Sequence, residues 1–295
     1  LFDDYLPDFH FDELTFFEKN YFYFAQVWYH HILLDFENVH YYARKWVMLF
    51  QSQPSMIAKD TILYLRALHY WITSSWYTSK ENSLCEALAI LQATIDQFKD
   101  TWSINAAVLA FLYQSYGRLN YVFWSGKIAM GVQYADEILA QSEFYKRYID
   151  PHKIMILRYK LAWLYFCAKQ PNQALDHLIF ILNYESVHLR EDLQAYSQLL
   201  FLLIHYDLKN YDLVDYRLTN SERFLKKATR TDALQQLIIQ LLRRLISNKQ
   251  QDEQQILKTA YHRCLQLQKS PYLRRSFTYL DFPVWLNSKI IKSAK

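Results

Sequence analysis

Apolar residues recur at intervals of three and four along most of the chain, in runs separated by short polar turns. That is the period of an amphipathic helix, whose positions three and four apart share a face. The pattern predicts four antiparallel helix pairs: Phe16–Leu34 with Asn38–Phe50, Ile57–Trp76 with Leu84–Phe98, Ile104–Leu119 with Lys127–Leu139, and Ile154–Ala168 with Gln173–Asn183. Two more pairs follow, Glu191–Leu208 with Tyr211–Leu225 and Ala233–Ile246 with Glu253–Leu267. A terminal helix or two over Pro271–Ile291, interrupted near Pro283, completes the chain. The units run 13–51, 54–99, 101–142, 151–184, 188–227 and 231–269, with a terminal helix over 271–292, in one helical-repeat domain spanning 1–295.

The turns agree with this division. Pro54, Pro151 and Pro271 fall where a new helix begins, and Pro171 starts a second helix. Proline is tolerated there because a first-turn amide has no intrahelical acceptor to lose. Asp100-Thr101 and Ser186 are expected as N-caps. A small Ala followed three residues later by a large aromatic marks the first helix of four units, as Ala25/Trp28, Ala67/Tyr70, Ala110/Tyr113 and Ala162/Tyr165. The alanines are 42, 43 and 52 residues apart. Antiparallel helices approach closely where one carries a small side chain. In the stretch AWLYFCAKQPNQALDHLIFIL (162–182), Ala162 and Ala174 open that space, Tyr165 and Leu178 fill the rest, and Gln170-Pro171-Asn172 makes the turn. A lone hairpin leaves an apolar face uncovered, so hairpins must stack.

Composition narrows the choice further. Three Gly and six Pro in 295 residues are too few for a sheet protein's hairpins or for glycine-rich phosphate loops. Aromatics at 18%, including 25 Tyr, set the chain apart from disordered sequences and can build a large core. Cys85, Cys167 and Cys264 are far apart, with no CxxC or Cys/His spacing, so neither a disulfide framework nor a zinc site is expected. That cysteine usage points to a reducing compartment, and a cytoplasmic location is the expectation. A membrane span needs about 20 apolar residues. The longest uncharged runs, Thr101–Gly117 and Asn20–Leu34, are shorter and carry polar side chains. The chain begins at Leu1 and reads as an excerpt of a longer protein.

The fourth unit resembles a tetratricopeptide repeat: Ala162, Tyr165, Ala174 and Leu178 stand at that family's small, tyrosine, alanine and large apolar positions. The stretch LREDLQAYSQLLFLLIHYDLKNYDLVDYRL (189–218), with Ser270-Pro271-Tyr272, is similar to the C-terminal repeats of bacterial tetratricopeptide-like proteins. Other units depart from the pattern. Ala43 follows Ala25 by 18 residues and Ala87 follows Ala67 by 20. The third unit has a longer connection through Trp124-Ser125-Gly126, and Leu202 and His205 replace the alanine and aromatic of the fifth. Unit lengths near 40 exceed the family's roughly 34.

The resemblance implies an all-α fold, a right-handed α-solenoid of about six antiparallel helix pairs, whose first helices line an inner groove. Residues three before, one after and four after each alanine are then expected to face that groove. They are Phe22, Gln26 and Tyr29; Tyr64, Leu68 and Trp71; Ala107, Phe111 and Gln114; and Tyr159, Trp163 and Phe166. Such an aromatic lining suits an apolar or amphipathic peptide.

No residue set carries a recognisable catalysis. Asp3, Asp4 and Asp8 form an acidic start with no second metal-binding motif downstream. His30 and His31 are adjacent, so on a helix they point about 100° apart, and HExxH is absent. Ser125-Gly126-Lys127 lacks the upstream Gly and following Ser/Thr of a phosphate loop. No catalytic residue, cofactor or metal is expected. Charge is uneven: residues 1–208 carry 16 basic and 22 acidic side chains, net −6, and residues 209–295 carry 17 and 7, net +10. Lys226, Lys227, Arg230, Arg243, Arg244, Arg274 and Arg275 define the basic face, where a nucleic acid is the lesser expectation beside a protein partner. The sequence therefore predicts a non-enzymatic protein- or peptide-binding scaffold using the groove. The alternative is a regulatory or sensor module of a larger protein that contacts nucleic acid through its basic C-terminal third. Oligomeric state has no signature here.

Overall fold

Side-chain caps set where the first helices begin. In the computed structural model, which describes residues 10–184, 190–227, 232–247 and 253–293, Thr15 Oγ1 accepts from the Glu18 amide at 3.4 Å. Glu18 Oε2 accepts from the Thr15 amide at 2.7 Å in return. This reciprocal box satisfies two amides that α1 (Phe16–Ile32) leaves without partners. Asp35 caps α2 (Phe36–Ser52) through the Asn38 amide, and Asp60 caps α4 (Thr61–Tyr77) through that of Leu63. Pro54 precedes only the single-turn α3 (Ser55–Lys59), so the third long helix, α4, starts later than expected. After α5 (Glu81–Phe98), the expected cap Asp100-Thr101 lies in a 3-10 turn. Ser103 takes its place, accepting from the Ala106 amide at the start of α6 (Ile104–Ser125). Ser186 lies outside the described residues.

The remaining helices follow the predicted order: α7 (Ile128–Phe144), α8 (Pro151–Cys167), α9 (Pro171–Leu182), α10 (Glu191–Asp207), α11 (Tyr211–Lys227), α12 (Ala233–Ser247) and α13 (Glu253–Gln268). The terminal run breaks at Leu280-Asp281, ahead of Pro283, into α14 (Arg274–Tyr279) and α15 (Phe282–Ser293). Among the described residues there is no strand. No described helix is long and apolar enough to cross a membrane.

The chain forms two compact units, Leu1–Tyr121 and Val122–Lys295, with the boundary inside α6. In the first, α2 packs on both α1 and α4, and α4 packs on α5. Its core holds Val39, Ala43, Trp46 and Phe50 of α2, Leu65, Ala67 and Ile72 of α4, and Leu84, Ala87 and Leu91 of α5. Trp46 Nε1 donates to Asn20 Oδ1 at 2.5 Å inside it. In the second unit, α8 packs on α9, α10 on α9 and α11, and α12 on α13, which also carries α15.

A turn repeats where the sequence shows no repeat. Leu34, Ser79, Lys169 and Lys209 all have positive φ, between 56° and 63°, just past the ends of α1, α4, α8 and α10. At each, the next residue's amide reaches back to a carbonyl five residues earlier, as Asp35 to His30, Lys80 to Ser75, Gln170 to Tyr165 and Asn210 to His205, all at 2.9 Å. This is the Schellman closure, in which a left-handed residue satisfies the last carbonyls of a helix. Gly126 takes the same left-handed conformation after α6.

Close approach relies on small residues, as expected, but not all the expected ones. Ala67, Ala110 and Ala162 are buried, as are their second-helix counterparts Ala43, Ala87 and Ala174. Ala25 is only half-buried, and its partner Trp28 is 43% exposed. Two glycines add contacts of the same kind. A Cβ on Gly117 would sit 2.6 Å from Leu88 Cδ2, and one on Gly131 would sit 2.6 Å from both Leu164 Cδ1 and Val122 Cγ1.

Candidate functional site

Burial decides which first-helix residues can meet a partner. Of the twelve expected groove residues, Gln26, Tyr64, Leu68, Trp71 and Phe111 are buried in the first unit, and Tyr159, Trp163 and Phe166 in the second. Tyr64 packs against Phe50 with ring centroids 5.2 Å apart, and Trp163 against Phe166 at 5.6 Å. The Tyr159 hydroxyl donates to the Tyr279 carbonyl at 3.0 Å. Phe22, Tyr29, Ala107 and Gln114 stay half-buried. Phe22 meets Phe11 and Tyr42, Tyr29 meets His30, and Gln114 Nε2 donates to Gln92 Oε1. The expectation of a solvent-lined groove at the buried positions is therefore corrected: packed neighbours cover them.

Of the aromatics three residues after each alanine in the first unit, Trp28 is exposed, Tyr70 is half-buried and Tyr113 is buried. On a helix, positions one and three after a given residue differ by about 200° in direction. Choosing the wrong one therefore turns the reading to the opposite side. Trp28 and His31 of α1 meet Tyr70 of α4, with centroids 6.1 and 5.7 Å apart. His69 of α4 stacks on Tyr113 of α6 at 4.0 Å and 15°, and lies 6.5 Å from Tyr116. Arg66 is exposed one turn before Tyr70 and hydrogen-bonds Tyr113. These side chains form a ladder across α1, α4 and α6. Burial, with Tyr113 beside it, pushes the Tyr70 phenol up to about 12. Burial also raises the Tyr113 phenol, against the opposing pull of Arg66. Both rings stay protonated at neutral pH, so the ladder presents hydroxyls and one guanidinium amid apolar rings.

A second polar group joins α2, α4 and α5. Trp71 Nε1 donates to Ser83 Oγ at 2.7 Å, and Ser83 Oγ lies 2.8 Å from His40 Nε2. A serine beside a histidine is the start of a nucleophile–base pair, and 43 residues of separation hid it in the sequence. The third member is wrong for that chemistry. His40 Nδ1 faces the Lys80 ammonium at 3.4 Å, where a triad needs a carboxylate, and Lys80 pairs with Glu37 at 2.6 Å. Burial and Lys80 hold the His40 imidazole down at about 4. The neutral ring accepts from Lys80 and donates to Ser83, and the group ties three helices together.

Two of the exposed basic residues pair with acids of the same chain. Arg243 pairs with Glu222 at 2.8 Å and Arg275 with Asp192 at 3.4 Å, while Arg244 is exposed on α12. Lys226 and Lys227 end α11, Arg274 starts α14, and Arg230 lies outside the described residues. Among the described residues, no group of three or more His, Cys, Asp or Glu could hold a metal ion. The three cysteines are unbridged.

No family model matches the chain, and no curated protein matches its sequence. Among solved structures, the crystal structure of the apo form of RapI matches with a TM-score of 0.58 at 15% identity, over 95% of this chain and 77% of that one. The chain has a helical-repeat fold.

Proposed function

We propose that the chain is a non-enzymatic protein-binding scaffold, and that the α1–α4–α6 ladder of the first unit takes a peptide segment carrying apolar side chains and a carboxylate. The observation that carries this is the set of Trp28, His31, Tyr70, His69 and Tyr113 rings, in contact from helix to helix around the exposed Arg66. Tyr and Trp offer large contact area at small entropic cost, and a guanidinium among rings selects a carboxylate by charge and by its fork of donors. The similar structure is described as an apo form. A ligand-binding role accords with a helical-repeat fold.

Panning a random dodecamer display library on the full chain tests the reading. Selected peptides should carry an acidic side chain or free C-terminus next to apolar residues. They should lose at least tenfold in affinity on Arg66→Ala and on Trp28→Ala, each with unchanged helical circular dichroism. Peptides that bind both variants as tightly as the parent would overturn it.

A further inference from the structure

Tyr279 is held as a bound ligand would be. Its ring stacks on Tyr196 of α10 at 4.8 Å and 19°, and meets the edge of Tyr159 of α8 at 6.1 Å. Its hydroxyl donates to Asp192 Oδ2 at 2.5 Å and accepts from Arg190 Nη2 at 3.1 Å. Its carbonyl accepts from the Tyr159 hydroxyl. Three residues earlier, the Ser276 hydroxyl donates to Asp232 Oδ2 at 2.8 Å.

The charged receiving groups each keep a partner without Tyr279. Arg190 grips Asp192 through two parallel bonds, at 2.9 and 3.0 Å. Asp232 accepts from the Tyr196 hydroxyl at 2.7 Å and from the Gln235 amide at 2.8 Å. Emptying the site therefore leaves no buried charge without a partner, which is the costly outcome when a buried pair loses one member. The occupant is also weakly built. α14 has six residues, between the Pro271–Leu273 turn and the extended Leu280, and a helix that short has little stability of its own. Leu280 and Phe282 are fully buried and α15 packs on α13, which fixes the strap at its far end.

We propose that Tyr159, Arg190, Asp192, Tyr196 and Asp232 form a second binding site, for a tyrosine-bearing peptide segment, and that α14 is its resident occupant, exchanging with such a segment from another protein. The site lies wholly in the second unit and stands independently of the α1–α4–α6 ladder. Its hydroxyl recognition favours Tyr over Phe, because Phe would leave the Asp192 and Arg190 groups without that bond.

The probe is a labelled peptide of residues 274–281 (RRSFTYLD), titrated onto the full chain. Tyr279→Ala should bind it at least tenfold more tightly than the parent does. Adding Asp192→Asn to that variant should remove at least tenfold, and a peptide with Phe for the tyrosine should bind Tyr279→Ala at least tenfold more weakly. Failure of the folded Tyr279→Ala variant to bind, or binding that ignores Asp192→Asn, overturns the proposal. Amide hydrogen exchange on the parent keeps the question open to test if the variant does not fold. Residues 276–279 should exchange at least a hundredfold faster than the middle of α10, and equal rates would show that the strap never leaves.

Discussion

One methyl group is enough to disturb this packing at Gly131. A Cβ there would meet Leu164 and Val122 side-chain carbons at 2.6 Å, so Gly131→Ala should destabilise the chain by about 1–3 kcal/mol in urea unfolding. Gly126→Ala makes the contrast, because a Cβ there meets nothing within 4 Å. Its cost comes from φ +68° alone and should be about 1 kcal/mol. A buried histidine gives a second residue-scale test. His177 stacks on Tyr165 at 5.5 Å, and burial, with the Arg158 guanidinium 3.1 Å from Nδ1, holds it down at about 4. In the unfolded chain histidine titrates near 6.5, so as pH falls the unfolded state takes up the proton first. This contribution to stability is complete above about 6.5 and is lost progressively between there and about 4. His177→Gln should flatten the fall of the urea midpoint across that window, and an unchanged slope would contradict the assignment.

At the scale of elements, the helices were legible because their apolar period is long and strongly marked. Phe16, Ile104, Glu191, Tyr211, Ala233 and Glu253 begin helices where the pattern placed them. The turns were not legible as repeats. A left-handed helix end usually shows itself through Gly, and here Leu34, Ser79, Lys169 and Lys209 hold that conformation instead. The tertiary closure overrides the local preference. Lys209 is exposed, so Lys209→Gly should relieve left-handed strain of about 1–2 kcal/mol against a smaller loss from a more flexible unfolded chain, for a net gain of about 0.5 kcal/mol. Thermal unfolding of that variant checks it. The candidate face was half legible. The Ala/aromatic pairs picked out Trp28, Tyr70 and Tyr113, yet the family pattern assigned the surface to Tyr64, Leu68 and Trp71. Which side of a helix stays open depends on the helices packed around it, and that is a tertiary fact. The Ser83–His40 contact and the seat of Tyr279 were invisible for a related reason, since 43 and 87 residues separate their polar partners.

At the scale of the molecule, the net +10 of residues 209–295 is partly offset by acids outside that segment, through the pairs of Arg275 with Asp192 and Lys289 with Asp207. What distinguishes the first unit is a run of rings, exposed at Trp28 and buried by Tyr113, that touch from α1 to α4 to α6. Amide hydrogen exchange of the full chain, with and without a saturating library-selected peptide, tests that account most directly. Protection should concentrate in residues 28–31, 66–73 and 113–116. Protection confined to other helices, with those three stretches unchanged, would contradict it.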